Sequence, residues 1–171
     1  MSNSQSIDLY DNNKHQSLYI SDYIKFADGK AGFTFGAATI LFGFFVNEWK
    51  KEWPKNVTFE ALKDWTFSSY LSGLILFALG IYFLVFTVWP RYLIKEALYQ
   101  SWGGISAYKK PNDYASTVKS KVVNANLFLD DMLRQNHALA MVCRRKFTNL
   151  RRAYWLLALA LVITGGTWII N

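Results

Sequence analysis

Uncharged apolar segments alternate with charged segments along this chain. Three of the apolar segments contain no Asp, Glu, Lys, Arg or His: 31–46, 66–89 and 154–170. An α-helix needs about 17–25 residues to cross the hydrocarbon core of a bilayer, so each segment is close to the required length. The first segment is the shortest, and Phe26 and Trp49 can extend it into the interfaces. The pattern therefore predicts three transmembrane helices, at 31–49, 66–89 and 154–171.

Tryptophan residues lie near the predicted ends of these helices, as expected for an aromatic belt at each membrane interface. We expect Trp49, Trp53, Trp65 and Trp168 at one interface, and Trp89 and Trp155 at the other. The composition agrees, because 52% of the residues are hydrophobic and 18% are aromatic. The mean hydropathy of +0.07 averages over apolar and charged segments and conceals them.

The distribution of Lys and Arg predicts the orientation. Segment 90–153 carries twelve Lys and Arg against four Asp and Glu, and such an excess marks the cytosolic side. We therefore expect a cytosolic N-terminal helix at 1–30, an outer loop at 50–65, a cytosolic helical region at 90–153 and a C-terminus outside. The first residues are polar rather than basic and then apolar, so no cleavable signal peptide is expected.

The charged segments also show helical periodicity. Apolar positions recur at steps of three and four from Val118 to Tyr154, and Pro111 followed by Asp113 is typical of a first helical turn. This predicts one helix of about 55 residues or more, on the order of 80 Å long. A short helix at 91–102 should end at Gly103-Gly104. The predicted fold class is all-α: three transmembrane helices continued into a cytosolic helical stalk or bundle.

Two rows of small residues are typical of close helix packing in membranes. The first seam is Gly32, Gly36, Thr39 and Gly43, and the second seam is Ser69, Gly73 and Gly80, with Leu76 between the glycines. Either another transmembrane helix of the same chain fills the first seam, or a second protomer does. The pattern leaves both interpretations open.

The sequence lacks the motifs that several kinds of enzyme and metal site require. There is no Gly-rich phosphate loop, no HExxH and no carboxylate pair at metal spacing, so we expect no enzyme, cofactor or metal site. His15, His137 and the single cysteine, Cys143, stand alone and are expected to be surface or packing residues. Asp130 and Asp131 point about 100° apart on a helix and should lie on a solvated face.

Transport and nucleic-acid binding are also disfavoured. Secondary transporters place ionisable residues at mid-membrane, whereas the polar side chains of these segments are Ser and Thr. The net charge of +7 lies mostly near the predicted transmembrane helices. Anionic lipid headgroups, rather than a nucleic-acid polymer, are therefore the expected partners.

Two charged clusters lie at the predicted cytosolic boundary. One is Ala27-Asp28-Gly29-Lys30-Ala31, and the other runs from Arg144 through Lys146 and Phe147 to Arg151. Basic side chains here can extend to lipid phosphates, which explains their charge. Asp28 is not explained in this way, because an acid near anionic headgroups needs a cation. We expect Lys146 or Arg91 to supply it.

These clusters resemble the transmembrane effectors of the Pycsar antiphage system. That family has an Ala-Asp-x-Lys-Ala motif entering the first transmembrane helix and an Arg/Lys-Lys-Tyr/Phe motif entering the last. The motifs read here as Ala27-Asp28-Gly29-Lys30-Ala31 and Arg145-Lys146-Phe147. Gly104 to Tyr108, followed by Asp113-Tyr114, is also similar to the family. Gly29 departs from the Thr or similar residue expected there. The resemblance covers nearly the whole chain from Asp22 onward.

The resemblance implies an effector of the bacterial inner membrane, activated by cyclic CMP or cyclic UMP, that impairs the membrane and arrests growth. For the charged and aromatic residues of the two clusters we predict ligand-binding or switch roles: Asp28, Lys30, Arg144, Lys146, Phe147 and Arg151. The expected partners are membrane lipids, the cyclic mononucleotide and further copies of the chain. Two other interpretations stay open: a scaffold whose helical stalk docks a protein, and an adaptor that binds anionic lipid.

Overall fold

The computed structural model describes residues 3–52, 64–89, 105–106, 108–122 and 124–170. The described residues form four helices: α1 (Asn3–Glu52), α2 (Trp65–Val88), α3 (Pro111–Val122) and α4 (Ala125–Ile170). The prediction of an all-α fold is confirmed. The predicted helix at 91–102, its end at Gly103-Gly104 and most of the predicted outer loop lie outside the described residues.

Three of these helices carry segments long and apolar enough to cross a membrane. The segments are Tyr10–Asn47 in α1, Trp65–Val88 in α2 and Asn126–Ile170 in α4. This confirms the prediction of three such helices. Asp64 begins α2 by accepting a hydrogen bond on its side chain from the Thr66 amide at 3.0 Å, which satisfies one of the free N–H groups of the first turn.

The prediction of one continuous helix from Pro111 into the last transmembrane segment is wrong. Helix α3 ends at Val122, and α4 begins at Ala125. Asn124 explains the break, because its amide donates back to the Lys121 carbonyl at 3.0 Å while its side chain accepts from the Leu127 amide at 3.4 Å. Asparagine is favoured as an N-cap because its side chain replaces the hydrogen bonds that a helix start lacks. The apolar periodicity on both sides conceals this cap.

An ion pair joins α3 to α4. Lys121 donates to Asp131, whose side chain is 13% exposed. Along one continuous helix these residues would be separated by about 15 Å, so the contact requires the chain to turn between them. The prediction of a solvated face for Asp130 and Asp131 is therefore wrong for Asp131. Asp130 does lie exposed, paired with Arg134 on the same helix at 3.1 Å.

The chain divides into two compact units. The first unit comprises Met1–Phe26 and Pro90–Arg145. In it, the buried side chain of Asn136 donates to the Asn13 carbonyl at 3.0 Å. Tyr10 lies against Phe128, with ring centroids 5.7 Å apart. A buried Asn pair on facing helices specifies which residues lie opposite one another, because any shift would leave polar groups unpaired.

The second unit comprises Ala27–Trp89 and Lys146–Asn171, and holds an apolar core shared by α1, α2 and α4. Ala31 and Ala38 come from α1, Phe77 and Leu84 from α2, and Leu150, Ala153, Leu157 and Ala160 from α4. Buried Thr hydroxyls cost little here because they donate within their own helix. Thr87 donates to the Phe83 carbonyl at 2.9 Å and Thr164 to the Ala160 carbonyl at 2.8 Å.

Candidate functional site

An ion pair between α1 and α4 lies at one end of the second unit. Lys146 donates a hydrogen bond to Asp28. The Lys146 side chain is only 11% exposed, whereas that of Asp28 is 36% exposed. From the sequence, Lys146 or Arg91 was expected as the partner of Asp28. The structure pairs Asp28 with Lys146, and Arg91 lies outside the described residues.

Small residues allow the two helices to approach closely beside this pair. Ala27 and Ala31, which flank Asp28 on α1, are fully buried, and so is Ala153 on α4. Alanines at these positions bring the backbones near enough for a short carboxylate side chain to reach a lysine. Leu150, 3% exposed, is packed into the same core. The local packing therefore positions the charged groups.

A hydrogen bond continues the α1–α4 contact. Thr34 donates to the Lys30 carbonyl at 2.8 Å, and its hydroxyl lies 3.3 Å from the hydroxyl of Tyr154. Tyr154 was expected on the apolar stripe of the last helix, but it is 40% exposed. Ala153 takes the buried position instead, because a tyrosine there would hold α1 away from α4.

The other predicted site residues are placed as follows. Lys30 and Arg151 are exposed and Phe147 is half-buried, all within the second unit. Arg144 is exposed and belongs to the first unit. Their predicted roles stay predictions, whereas the contact between Asp28 and Lys146 is a feature of the structure.

Sequence reasoning missed the position of Arg152. Its guanidinium lies over the ring of Phe83 on α2, 5.6 Å from the ring centroid. Such cation–π contacts contribute about 0.5–1 kcal/mol at exposed sites. The available signal was that Arg152 lies just before the last apolar segment and Phe83 lies in the last two turns of α2. Arg152 thus connects α4 to α2 near the end of the unit that carries Asp28.

The second seam, on α2, is filled by α4. Ser69 is buried, and a Cβ atom built on Gly73 would lie 2.4 Å from the Thr164 methyl carbon. A Cβ atom on Gly80 would lie 2.8 Å from Leu157. Side chains larger than hydrogen therefore collide with α4 at both glycines.

The first seam lies on α1, and its surroundings differ from those of the second seam. A Cβ atom on Gly32, Gly36 or Gly43 would meet no atom within 4 Å among the described residues, and Thr39 is exposed. Helices α2 and α4 therefore do not fill this seam. The face of α1 that packs inside the unit instead carries Ala27, Ala31 and Ala38. By helical projection the two faces are separated by roughly 100–160°.

One tryptophan of the expected aromatic belt is not at the surface. Trp65, Trp89, Trp155 and Trp168 are 62–73% exposed, as a belt requires. Trp49 is only 6% exposed and packs within 6.0–6.3 Å of the rings of Phe42, Phe45 and Tyr70. It is a core residue of the second unit, and Trp53 lies outside the described residues.

The helices and the ion pair together define a class of protein. Three membrane-crossing helices carry a partly buried ion pair at one end of their bundle, and the described residues contain no group of three metal-ligating side chains. This is a multi-pass helical membrane protein whose charged chemistry lies at the boundary of its apolar core. An ion pair in this position can hold two helices together. Its lysine can also release the carboxylate and bind another anion.

Comparison with protein families identifies that class further. The model of the Pycsar effector protein domain matches residues 14–171, almost the whole chain. The chain belongs to the Pycsar effector family, which confirms the resemblance found in the two charged motifs. It is an effector of the Pycsar antiphage defence system, a family of membrane effectors. Searches of curated proteins and of solved structures give no match.

Proposed function

We propose that cyclic CMP or cyclic UMP activates this effector in the bacterial inner membrane, and that activation separates α1 from α4. The separated helices then impair membrane integrity and arrest growth. The observation that carries the proposal is the ion pair of Asp28 and Lys146, which joins the two helices at one end of the second unit. In this account the pair is a lock of the inactive conformation.

The energetics suit a lock. Removing one partner of a buried ion pair costs about 3–5 kcal/mol, because the remaining charge is left in an apolar environment. The cost of removing one partner should be lower here, about 1–3 kcal/mol, because the side chain of Asp28 is 36% exposed. A cyclic nucleotide carries one phosphate charge, which can compete with the Asp28 carboxylate for Lys146. Binding elsewhere could also open the pair by moving α1.

The proposed active form is a homo-oligomer assembled through the first seam. Gly32, Gly36 and Gly43 present bare backbone on the outer face of α1, which allows a helix of a second copy to approach closely. Packing inside the unit uses the opposite, alanine-bearing face and leaves this one available. Assembly and packing thus use different sides of one helix.

The proposed orientation places the N-terminus and the 90–153 region in the cytosol, as their Lys and Arg content predicts. This gives an intracellular nucleotide access to the cytosolic region. A phosphatase fusion at Lys55 should be active and one at Lys109 inactive. The reverse activities would contradict the orientation and, with it, an intracellular ligand.

Charge substitutions test the lock. Asp28→Asn should arrest growth without any cyclase, because it leaves Lys146 unpaired. The double variant Asp28→Lys with Lys146→Asp should restore nucleotide-dependent arrest, since it re-forms the pair with reversed charges. The matched control is Asp22→Asn, which breaks the 3.3 Å pair with Lys25, a pair with 79% and 74% exposed side chains on the same helix. The control variant should show the same nucleotide-dependent growth arrest as the wild type. A silent Asp28→Asn would contradict the lock.

Calorimetry on the protein in lipid nanodiscs tests the ligand. Cyclic CMP or cyclic UMP should bind and cyclic AMP should not. If Lys146→Ala abolishes both binding and toxicity while the protein still inserts, Lys146 binds the nucleotide directly rather than serving only in the lock. If the effect of the wild-type protein on growth did not depend on a cyclic nucleotide, the scaffold or the lipid adaptor would be favoured instead.

A further inference from the structure

Basic side chains outnumber acids at the end of the second unit that carries the ion pair. Segments 27–46 and 146–170 contain four basic residues, Lys30, Lys146, Arg151 and Arg152, and their only acid is Asp28. Asp28 is bonded to Lys146, and the guanidinium of Arg152 lies over an aromatic ring of α2. Lys30 and Arg151 are both exposed. This end of the unit therefore has a net positive charge that favours an anion.

Contacts between α1 and α4 place Lys30 and Arg151 at the same level. The two helices run in the same direction, because their ion pair precedes the contact of Thr34 with Tyr154 along each of them. Lys30 precedes Thr34 by four residues, and Arg151 precedes Tyr154 by three. At about 1.5 Å per residue, the two backbones therefore differ by only about 1–2 Å along the helix axes. Packed helices are about 8–10 Å apart, so both side chains can reach one small ligand.

Lys30 and Arg151 also lie on the same side of the α1–α4 contact. By helical projection Lys30 is about 40° from Thr34, and Arg151 is about 60° from Tyr154, each turned away from the buried face of its helix. The hydroxyls of Thr34 and Tyr154 are 3.3 Å apart, so these two flanks adjoin. Side chains on a helix tilt towards its N-terminus, and the two helices run in the same direction. The ammonium and guanidinium groups therefore extend side by side.

The position of these two residues indicates the kind of anion. Trp155, one turn beyond Arg151, is 73% exposed, and Trp89 at the end of α2 is 62% exposed. Exposed tryptophans concentrate at the depth of the lipid headgroups. Lysine and arginine form strong charge-assisted hydrogen bonds with phosphate oxygens, and arginine can bind two of these oxygens at once. A phospholipid headgroup and a cyclic mononucleotide share one chemical group of this kind, a phosphodiester.

We infer that Lys30 and Arg151 together bind one phosphodiester group, on the Thr34 side of the contact between α1 and α4. Both side chains donate hydrogen bonds to its unesterified oxygens. By helical projection Asp28 lies on the other side of Ala31 from Thr34, so the site is separate from the ion pair. If the phosphodiester is cyclic CMP or cyclic UMP, the inference rests on the proposed function. If it is a lipid headgroup, the inference is independent of that function.

Two adjacent arginines provide a matched test. Arg151→Gln and Arg152→Gln remove the same charge, but Arg152 projects towards Phe83 on α2 instead of Tyr154 and Thr34. Full-length protein in dodecyl maltoside, a detergent without phosphate, would be titrated with each phosphodiester. Binding of 1-palmitoyl-2-oleoyl-phosphatidylglycerol is counted by native mass spectrometry, and binding of cyclic CMP and cyclic UMP is measured by calorimetry. Dioleoylglycerol, cytidine and uridine, which lack the phosphate, are the ligand controls.

Wild type should bind a phosphodiester and none of the three controls. Lys30→Gln and Arg151→Gln should each weaken this binding by roughly ten-fold or more, the effect expected for one hydrogen bond between charged groups. Arg152→Gln should weaken it by about two-fold or less, because it removes only a neighbouring charge that is screened by solvent. The two large losses should not multiply in the double variant, since both side chains hold the same group. Circular dichroism checks that each variant is helical, and Lys30→Gln tests the site should Arg151→Gln not fold.

The two ligands distinguish the sources of the phosphodiester. Loss of phosphatidylglycerol binding alone would assign the site to a lipid headgroup, and loss of nucleotide binding would assign it to the activating ligand. Equal effects of Arg151→Gln and Arg152→Gln would overturn the inference, and so would a wild type that binds neither phosphodiester. A wild type that binds phosphatidylglycerol at this site but no nucleotide would contradict the proposed function and leave the inference standing.

Discussion

The glycine seams of α1 and α2 follow the same spacing but lie in opposite environments. Gly32, Gly36, Thr39 and Gly43 recur at steps of four, three and four, and so do Ser69, Gly73, Leu76 and Gly80. The α2 seam is in contact with α4, whereas Cβ atoms added to the α1 glycines meet no atom within 4 Å in the part of the chain that the structure describes. The spacing of small residues therefore identifies a surface that can pack closely, but not whether it does so within the chain.

The difference arises from what else each helix carries. Helix α1 has a second stripe of small residues, Ala27, Ala31 and Ala38, which is the one buried inside the unit. By helical projection Asp28 lies between the alanine stripe and the glycine seam, so burying the alanines also brings Asp28 to Lys146. The choice of face is thus coupled to formation of the ion pair.

Gly73→Leu should have the largest effect. Its Cβ atom already collides with the Thr164 methyl group, and Thr164 cannot rotate away without losing its hydrogen bond to Ala160. Overpacking of this kind costs about 1–3 kcal/mol or more. For a chain of this size we expect the apparent melting temperature in detergent to fall by roughly 5–10 °C. An unchanged melting temperature would show that α2 and α4 are not packed at this position.

Ala31→Leu should come next, because it inserts volume on the fully buried face of α1. We expect a loss of about 1–3 kcal/mol and, if the ion pair is a lock, growth arrest without nucleotide. The control is Gly32→Leu, the adjacent residue on the open face, which should fold normally. If both variants behaved alike in thermal unfolding, the two faces of α1 would not differ in packing.

Gly80→Ala should have a smaller effect than Gly73→Leu. The added methyl group meets Cγ and Cδ2 of Leu157, at 2.8 Å, whereas at Gly73 it meets the methyl carbon of the β-branched Thr164 at 2.4 Å. A rotamer change of Leu157 can relieve most of the contact, so we expect a loss of about 1 kcal/mol or less. Thermal unfolding beside Gly73→Ala measures the difference. A larger loss at Gly80 than at Gly73 would reverse the expected order.

Gly36→Leu should have the least effect on folding, because its side chain enters open space. If a second copy packs on the first seam, the same variant should lose oligomers and toxicity while its melting temperature as a monomer stays unchanged. Cross-linking in membranes and a growth assay measure both properties. Unchanged assembly and unchanged toxicity would show that the first seam faces lipid.

Local composition is sufficient to predict several features of this protein. Long apolar segments without charges require helices in a membrane, because every backbone polar group must be paired within the segment. Three such helices and an all-α fold follow from this. The motifs around Asp28 and Lys146 were sufficient to indicate the family. Asp28 also required a cation, since an isolated carboxylate is costly at an apolar boundary.

Where the sequence contains two patterns that are equally able to pack, only the tertiary contacts show which of them is buried. Two small-residue stripes on α1 are equally able to pack, and only the complete core shows that the alanines are buried. Trp49 was as suitable for the belt as Trp168, but contacts with three aromatic rings place it inside. Asn124 ends one helix and begins another within an unbroken apolar period. In each case the deciding energy comes from residues distant in sequence or from one cap, which periodicity does not register.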